Sequence, residues 1–150
     1  MAEKEQNIDF DKLRGGYYTP SPIAEFICSW AIQNDNDIVL EPSCGDGNFI
    51  EAAIARFNEL GVNGADLYGR IKGIELIPEE AQKATRRASS FGLNGDTIVN
   101  NDFFSFISNQ DGIAYNSIIG NPPFIRYQNF PPKHRDIAIQ MMEDLGLKPN

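Results

Sequence analysis

The chain has 150 residues and a formal net charge of −8, from 13 basic and 21 acidic side chains. This length predicts one domain that buries about two thirds of its unfolded surface. The charge is uneven, because residues 1–75 carry 6 basic and 13 acidic side chains and residues 76–150 carry 7 and 8. Since nucleic-acid backbones are bound by basic residues, the composition excludes strong binding of nucleic acid through overall charge.

The cysteines and the N-terminus indicate the compartment. Cys28 and Cys44 lie in separate predicted elements, without the close spacing of a zinc or redox motif, and free thiols are typical of a reducing environment. The N-terminus is polar, and no apolar run has the length of a membrane span. We expect a soluble, cytoplasmic protein with no membrane segment and no metal, in which the single histidine, His134, is a surface residue.

Residues 1–14 are charged and are expected to form a mobile tail, with one structural unit over 15–150. Glycines, prolines and tyrosines predict a loop over 15–22. A helix over about 22–33 follows, with apolar residues at helical spacing at Ile23, Phe26, Ile27 and Trp30.

The rest of the chain alternates between strands and helices. Strands are predicted at 37–41, 71–76, 97–100 and 117–120, and helices over about 48–60, 78–91 and 132–145. This alternation predicts an α/β fold with a mostly parallel sheet of four strands and right-handed crossovers.

A polar side chain stands at or just after the end of each predicted strand. These residues are Glu41, Glu75, Asp102 and Asn121. Because parallel strands end at the same edge, the four side chains should gather where open α/β sheets bind ligands.

The turn after the first strand is rich in small residues and leads directly into a helix. A phosphate site is disfavoured, because no Gly-Lys-Ser/Thr follows, Ile50 replaces the third glycine of a dinucleotide motif, and Glu41 and Asp46 would repel an anion. An acidic loop suits a cationic ligand, such as a zwitterionic amino acid that carries a sulfonium. A tight turn without a ligand remains the alternative.

The next two strand ends could bind a nucleoside. Glu75 could accept hydrogen bonds from both ribose hydroxyls, and Asp102 with Phe103 could pair with an adenine amino group and contact the ring. The alternatives are a solvated turn at Glu75 and, at Asp102, a capped loop with a core phenylalanine.

The fourth strand ends in Gly120-Asn121-Pro122-Pro123-Phe124. Two prolines stop the strand and stiffen the loop. The Asn121 amide and the Pro122 carbonyl can then act as two acceptors beside the Phe124 ring, which suits a planar amine. The alternative is a strand-terminating turn with a core phenylalanine.

Five motifs in this order resemble those of the S-adenosylmethionine-dependent N6-adenine DNA methyltransferases of restriction-modification systems. They span about residues 15–125 and are Gly16-x-Tyr18-Thr19-Pro20, Leu40-Glu41-Pro42-Ser43-Cys44-Gly45-Asp46-Gly47, Gly73-Ile74-Glu75-Leu76, Asn101-Asp102-Phe103 and Gly120-Asn121-Pro122-Pro123-Phe124. The last motif departs from the usual pattern, because Phe124 stands where the family more often has tyrosine.

The resemblance implies a Rossmann-like methyltransferase sheet, S-adenosylmethionine as cofactor, and a role for each motif. Thr19 and Pro20 would line the methionine side of the cofactor. Its amino-acid and methyl end would lie along Glu41, Pro42, Ser43, Cys44 and Gly45, its ribose at Glu75 and Leu76, and its adenine at Asp102 and Phe103. Asn121 and Pro122 would bind the amine of a flipped-out adenine, and Phe124 would stack on that base.

Methyltransferase sheets of this type resemble a seven-stranded design, so we expect residues 15–150 to form the N-terminal part of a catalytic domain. DNA would then be bound mostly through regions beyond this chain. The last strand should border an open edge, which predicts a homodimer or marginal stability. A methyltransferase acting on RNA or on a protein glutamine amide, or a cofactor-binding fragment without activity, remains an alternative.

Overall fold

The computed structural model describes residues 18–109, 114–123 and 132–148. In that part of the chain the elements are α1 (Ser21–Ala31), β1 (Val39–Glu41), α2 (Asn48–Glu59), β2 (Ile71–Glu75), α3 (Pro78–Ser90), β3 (Ile98–Asn100), α4 (Phe103–Ser108), β4 (Ser117–Ile118) and α5 (Pro132–Asp144). Every predicted helix and strand is present, with ends within two residues of the prediction. The short helix α4 was not predicted, and the expected tail at 1–14 lies outside the described residues.

The four strands form one parallel sheet in the order β3-β2-β1-β4, which confirms the predicted fold class. The chain moves outward from β1 to β2 and β3, and then returns to place β4 on the other side of β1. The direction therefore reverses between β1 and β4. In open α/β sheets a crevice forms at such a reversal, beyond the carboxyl ends of the two strands.

Helices cover both faces of the sheet. The first face carries α2 and α3, with α1 packed on α2, and the second carries α4, which also contacts α5. This is the division that right-handed crossovers produce, since a reversal in strand order moves the next connecting helix to the opposite face.

The residues of β1 alternate between two apolar clusters. Val39 belongs to the larger cluster under α1, α2 and α3, and Leu40 packs with Ile74 and Phe106 on the face of α4. This alternation follows from the two-residue period of a strand.

Two parts of the molecule differ from simple apolar patterning. Helix α1 buries Ala24 and Cys28, whereas Phe26 and Trp30 are exposed, the latter by 77%. In β4, Ile118 lies beside Leu40 in register but is 65% exposed. The apolar run Ile118-Ile119 indicates a buried strand, and this expectation is wrong for Ile118, because the described helices on that face do not extend over it.

Both cysteines are free, as their spacing predicted, and both are buried. None of the helices in the described ranges is long and apolar enough to cross a membrane.

Candidate functional site at the carboxyl edge of the sheet

The loop after β1 is tied to the neighbouring strand by its backbone. The Cys44 N–H donates to the Ile74 carbonyl at 2.8 Å, and the Gly45 N–H donates to Glu75 Oε2 at 2.8 Å. The turn then closes as the Gly47 N–H donates to the Cys44 carbonyl. The loop is thereby fixed across the end of β2, directly before α2.

Glu75 fixes two loops at once. Its Oε2 accepts from Gly45, and its Oε1 accepts from the Ile77 N–H at 2.8 Å. The side chain lies at the end of β2 as predicted and is buried, so the alternative of a solvated turn is wrong. Each oxygen keeps a further acceptor position, while Leu76, the next residue, exposes an apolar side chain at the rim.

Glu41 is the most deeply buried carboxylate of the edge, at 1% exposure. Its Oε1 accepts from the Ser43 N–H at 3.2 Å, and its Oε2 has no hydrogen-bond partner among the described residues. Burial raises the pKa of Glu41 to about 8, opposed by the Ser43 N–H and assisted by the charge of Glu75. Buried polar atoms rarely remain unpaired in native proteins, so Oε2 is suited to accept from a ligand.

Gly120 brings the loop after β4 against the same carboxylate. A Cβ added at Gly120 would lie 2.2 Å from Glu41 Oε1, and the residue has a φ of +153°. Only glycine fits at this distance. The acidic end of β1 and the start of the Asn121 loop are therefore in contact at the reversal of strand order, as the sequence predicted for one edge.

The other residues of the first loop have mainly structural environments. Cys44 is buried, and its Sγ would lie 3.1 Å from a Cβ added at Gly73. Burial raises the pKa of the Cys44 thiol above its usual range, which keeps it protonated. Pro42 and Ser43 are half-buried, and Ser43 Oγ has no hydrogen-bond partner in the described part of the chain.

The segment before α1 lies on this loop. A Cβ added at Gly45 would be 3.7 Å from Tyr18 Cε1, so the tyrosine ring covers the loop. The Thr19 carbonyl accepts from Asn48 Nδ2, and Pro20 caps α1. The structure thus brings Thr19 and Pro20 to the glycine loop, although they precede it by more than 20 residues.

Asp102 is engaged in a helix cap. Its two oxygens accept from the N–H groups of Phe104, at 3.3 Å, and Ser105, at 3.0 Å, which starts α4. Phe103 is half-buried and packs on the cluster formed by Leu40, Ile74 and Phe106. The structure therefore contains the alternative, a capped loop with a core phenylalanine, at the strand end where the adenine of the cofactor is expected.

His134 was expected to be an isolated surface residue, and this is wrong. Its Nδ1 lies 3.5 Å from Asp102 Oδ1, and its side chain is half-buried. The reason is tertiary, because α5 packs on α4 and brings residues 32 positions apart together.

The predicted catalytic loop is only partly described. Asn121, Pro122 and Pro123 follow β4 and are exposed. Phe124 lies outside the described residues. Asn121 and Pro122 therefore lie exposed at the end of β4, next to the crevice.

Several supporting residues were missed by sequence reasoning. On α3, Glu80 accepts from Tyr18 Oη at 2.9 Å, Ala84 lies under Gly47, and Arg87 pairs with Asp46 at 2.8 Å. The 80-84-87 spacing puts all three on one face of a helix, a signal that the sequence contained without showing what that face would contact.

The arrangement is rich in acceptors and suits a ligand with several donors. Glu41 and Glu75 border the glycine loop, and Asp102 stands at the next strand end. No group of three or more potential metal ligands occurs in the described ranges.

A family model for N-6 DNA methylases matches residues 6–141. The chain belongs to the N-6 DNA methylase family. Its parallel sheet is thus that of a Rossmann-like methyltransferase, as the motifs predicted.

Curated relatives of this N-6 DNA methylase chain are considerably longer. It is 30% identical over 118 residues to the type II methyltransferase M.HincII of Haemophilus influenzae, with 77% of this chain and 18% of the relative covered. It is 32% identical over 117 residues to the type II methyltransferase M.NspV of a Nostoc strain, with 76% and 21% covered. The chain therefore spans about a fifth of the length of these relatives.

A solved structure shows the same fold. The modification subunit of a putative type I restriction enzyme from Vibrio vulnificus matches this N-6 DNA methylase chain with a TM-score of 0.62 at 20% identity. The match covers 87% of this chain and 30% of that subunit.

Proposed function

We propose that the protein of which this chain forms at least a part transfers a methyl group from S-adenosylmethionine to the N6 amine of adenine in DNA. The observation that carries the proposal is the contact of Gly120 with Glu41, which joins the acidic end of β1 to the Asn121-Pro122 loop. Membership of the N-6 DNA methylase family supports the reaction and the target. The carboxylates of Glu75 and Asp102 at the strand ends support a cationic methyl donor.

Glu41 Oε2, which is buried and has no hydrogen-bond partner among the described residues, suits the polar groups of such a cofactor. In this proposal Glu41, Pro42, Ser43, Cys44 and Gly45 hold the amino-acid and methyl end, with Thr19 and Pro20 beside it. Glu75 and Leu76 hold the ribose, and Asp102 and Phe103 the adenine. When bound, S-adenosylmethionine supplies an electrophilic methyl group on a sulfonium.

The chain's own part in the chemistry is to hold the amine. The lone pair of that amine is delocalised into the adenine ring, which makes the nitrogen a weak nucleophile. Asn121 Oδ1 and the Pro122 carbonyl accept the two amine hydrogens, which favours a tetrahedral nitrogen with a localised lone pair. Such fixed acceptors act by positioning and by stabilising developing charge. Phe124 stacks on the flipped base with about 1–3 kcal/mol.

The substrate is tested by incubating the chain with labelled S-adenosylmethionine and, separately, duplex DNA, RNA and a glutamine-containing protein. We expect N6-methyladenine in DNA by mass spectrometry, and a loss of about 100-fold or more in Asn121→Ala. Label only in RNA or in a glutamine amide would replace DNA as the substrate. Cofactor binding without transfer to any of the three would indicate a cofactor-binding fragment.

The cofactor site is tested by calorimetric titration with S-adenosylmethionine. Glu75→Ala should abolish saturable binding, and Asp102→Asn, which retains an acceptor for the α4 cap, should weaken it. Glu79→Ala is the control, because Glu79 is exposed in the first turn of α3. Equal affinity in all variants would contradict the assigned pocket.

We also propose that the chain self-associates through β4. In the described sheet β4 is hydrogen-bonded on one side only, to β1, and its residue Ile118 is exposed. Open strand edges with apolar side chains favour pairing. Light scattering should show a dimer of the wild type. Ile118→Lys should dissociate this dimer, whereas Phe91→Lys, at an exposed position after α3, should leave it intact. A monodisperse wild-type monomer would contradict this proposal.

Two further expectations remain predictions. Residues 15–150 are proposed to be the N-terminal part of a catalytic domain. This proposal is compatible with the match to M.HincII and M.NspV, which covers only about a fifth of each relative. A cytoplasmic location is proposed from the two free, buried thiols.

A further inference from the structure

The segment before α1 is fastened to α3 by a tyrosine. Tyr18 Oη donates to Glu80 Oε2 at 2.9 Å, and Lys83 Nζ pairs with Glu80 Oε1 at 2.8 Å. Glu80 is 2% exposed, although it belongs to the first turn of a surface helix. A buried carboxylate is retained at a cost in desolvation, so its partners define a specific contact.

The tyrosine ring connects this contact to the glycine loop. The ring lies at van der Waals distance from the position of a Cβ on Gly45, whose N–H holds Glu75. Burial, and then the hydrogen bond to Glu80, raises the pKa of the Tyr18 hydroxyl, so the group remains a donor at neutral pH.

The residues that follow Tyr18 are thereby held at both ends. The Thr19 carbonyl accepts from Asn48 at the start of α2, and Ser21 Oγ donates to Asn48 Oδ1 at 3.1 Å. The Pro20 carbonyl accepts from the N–H groups of Ile23, at 2.9 Å, and Ala24, at 3.1 Å. Thr19 and Pro20 are therefore placed between an anchor on α3 and the first turn of α1.

We propose that Tyr18 is a positioning residue that, through Glu80, orders Thr19-Pro20 against the glycine loop before the cofactor binds. This inference rests on the proposed function, since its purpose is to prepare the methionine side of the S-adenosylmethionine site. A segment ordered in advance lowers the entropy that binding must overcome. Loss of the anchor therefore weakens cofactor binding and leaves the fold intact.

The test uses Tyr18→Phe, which removes only the hydroxyl. Tyr68→Phe is the matched control, because Tyr68 is also half-exposed and its Oη donates to the Gly92 carbonyl at 3.2 Å, away from the carboxyl edge. Calorimetry should show a Kd for S-adenosylmethionine that is about five- to tenfold weaker in Tyr18→Phe and unchanged in Tyr68→Phe. Urea unfolding should be similar for the two variants.

Hydrogen exchange in the cofactor-free chain tests the anchor independently of binding. The amides of Ile23 and Ala24 report on Pro20, since its carbonyl is their acceptor. They should exchange faster in Tyr18→Phe than in wild type or in Tyr68→Phe. Glu80→Leu removes the acceptor and should lose this protection. Glu80→Gln keeps an acceptor for the tyrosine and should retain most of it.

The outcomes separate the inference from the proposed function. If hydrogen exchange of the Ile23 and Ala24 amides is the same in Tyr18→Phe and wild type, the role of Tyr18 is overturned. The same holds if wild type binds S-adenosylmethionine and Tyr18→Phe binds it with the same Kd. In both cases the cofactor site remains supported. A wild-type chain with protected Ile23 and Ala24 amides that binds no S-adenosylmethionine overturns the proposed function, and with it the role assigned to Tyr18.

Discussion

At the scale of single residues, Glu41 combines deep burial with an unpaired oxygen. Its Oε2 lacks a partner in the described residues, and its other oxygen faces Gly120. An apolar residue would avoid the cost of burying a carboxylate. A carboxylate kept in this position is therefore suited to a ligand, and its environment has consequences for stability and for the neighbouring glycine.

Stability should fall as pH rises from about 4.5 to about 8, in part because of Glu41. Burial raises the pKa of Glu41 to about 8 from the usual 4.5, so the folded state binds the proton more tightly than the unfolded state. Its contribution is complete below about pH 4.5 and is lost as pH passes about 8. Urea unfolding of Glu41→Gln should lack this component, worth at most about 5 kcal/mol.

The control for this measurement is Glu79→Gln, which changes an exposed carboxylate. Its stability should follow the wild-type pH curve. Parallel curves for wild type and Glu41→Gln would show that Glu41 is ionised at little cost in the folded chain.

Gly120→Ala should destabilise the chain by about 2–4 kcal/mol, because the new Cβ would overlap the Glu41 carboxylate and the backbone has a positive φ. Gly61→Ala separates the two causes, since Gly61 also has a positive φ but no atom within 4 Å of an added Cβ. Urea unfolding of both variants measures the difference. Equal costs would mean that the contact with Glu41 relaxes freely.

At the scale of elements, α3 is the helix that supports the glycine loop. Glu80, Ala84 and Arg87 on one face contact Tyr18, Gly47 and Asp46. A Cβ at Gly47 would lie 3.0 Å from Ala84 Cα, so the loop and the helix approach closely at that point. The helix therefore sets the position of the loop, as well as covering the sheet.

Arg87→Met should cost about 1 kcal/mol, and less at high salt. Arg87 pairs with Asp46 at 2.8 Å and with Glu51 at 2.9 Å, both partly exposed, so screening reduces the gain. Arg86→Met is the control, because the adjacent Arg86 is exposed and contacts Gln82 on its own helix. Urea unfolding at low and high sodium chloride measures both; identical losses would remove any special role for Arg87.

At the scale of the whole molecule, the acidic balance limits what the chain does alone. A net charge of −8 opposes the approach of a phosphate backbone. We therefore expect this chain by itself to bind DNA weakly.

Fluorescence anisotropy with a labelled duplex should show a Kd weaker than about 10⁻⁴ M at physiological salt. Calorimetric binding of S-adenosylmethionine in the same buffer is the control that the chain is folded and competent. Micromolar binding that weakens steeply with added salt would instead reveal a basic surface within the chain.

The sequence by itself determined the order and type of the elements other than α4, because strand and helix periodicities, prolines and glycines act locally. It also determined that Glu41, Glu75, Asp102 and Asn121 share one edge, since parallel strands leave no other arrangement. Asp102 shows the limit of a local pattern, because the same residue that suits a ligand also caps α4.

Only the tertiary structure decided which helix faces meet. The apolar residues Phe26 and Trp30 were at helical spacing yet are exposed, because α1 packs through Ala24 and Cys28 instead. The contacts of Tyr18 with Glu80 and of His134 with Asp102 join residues 62 and 32 positions apart. Such pairs depend on how elements pack, which no local spacing specifies.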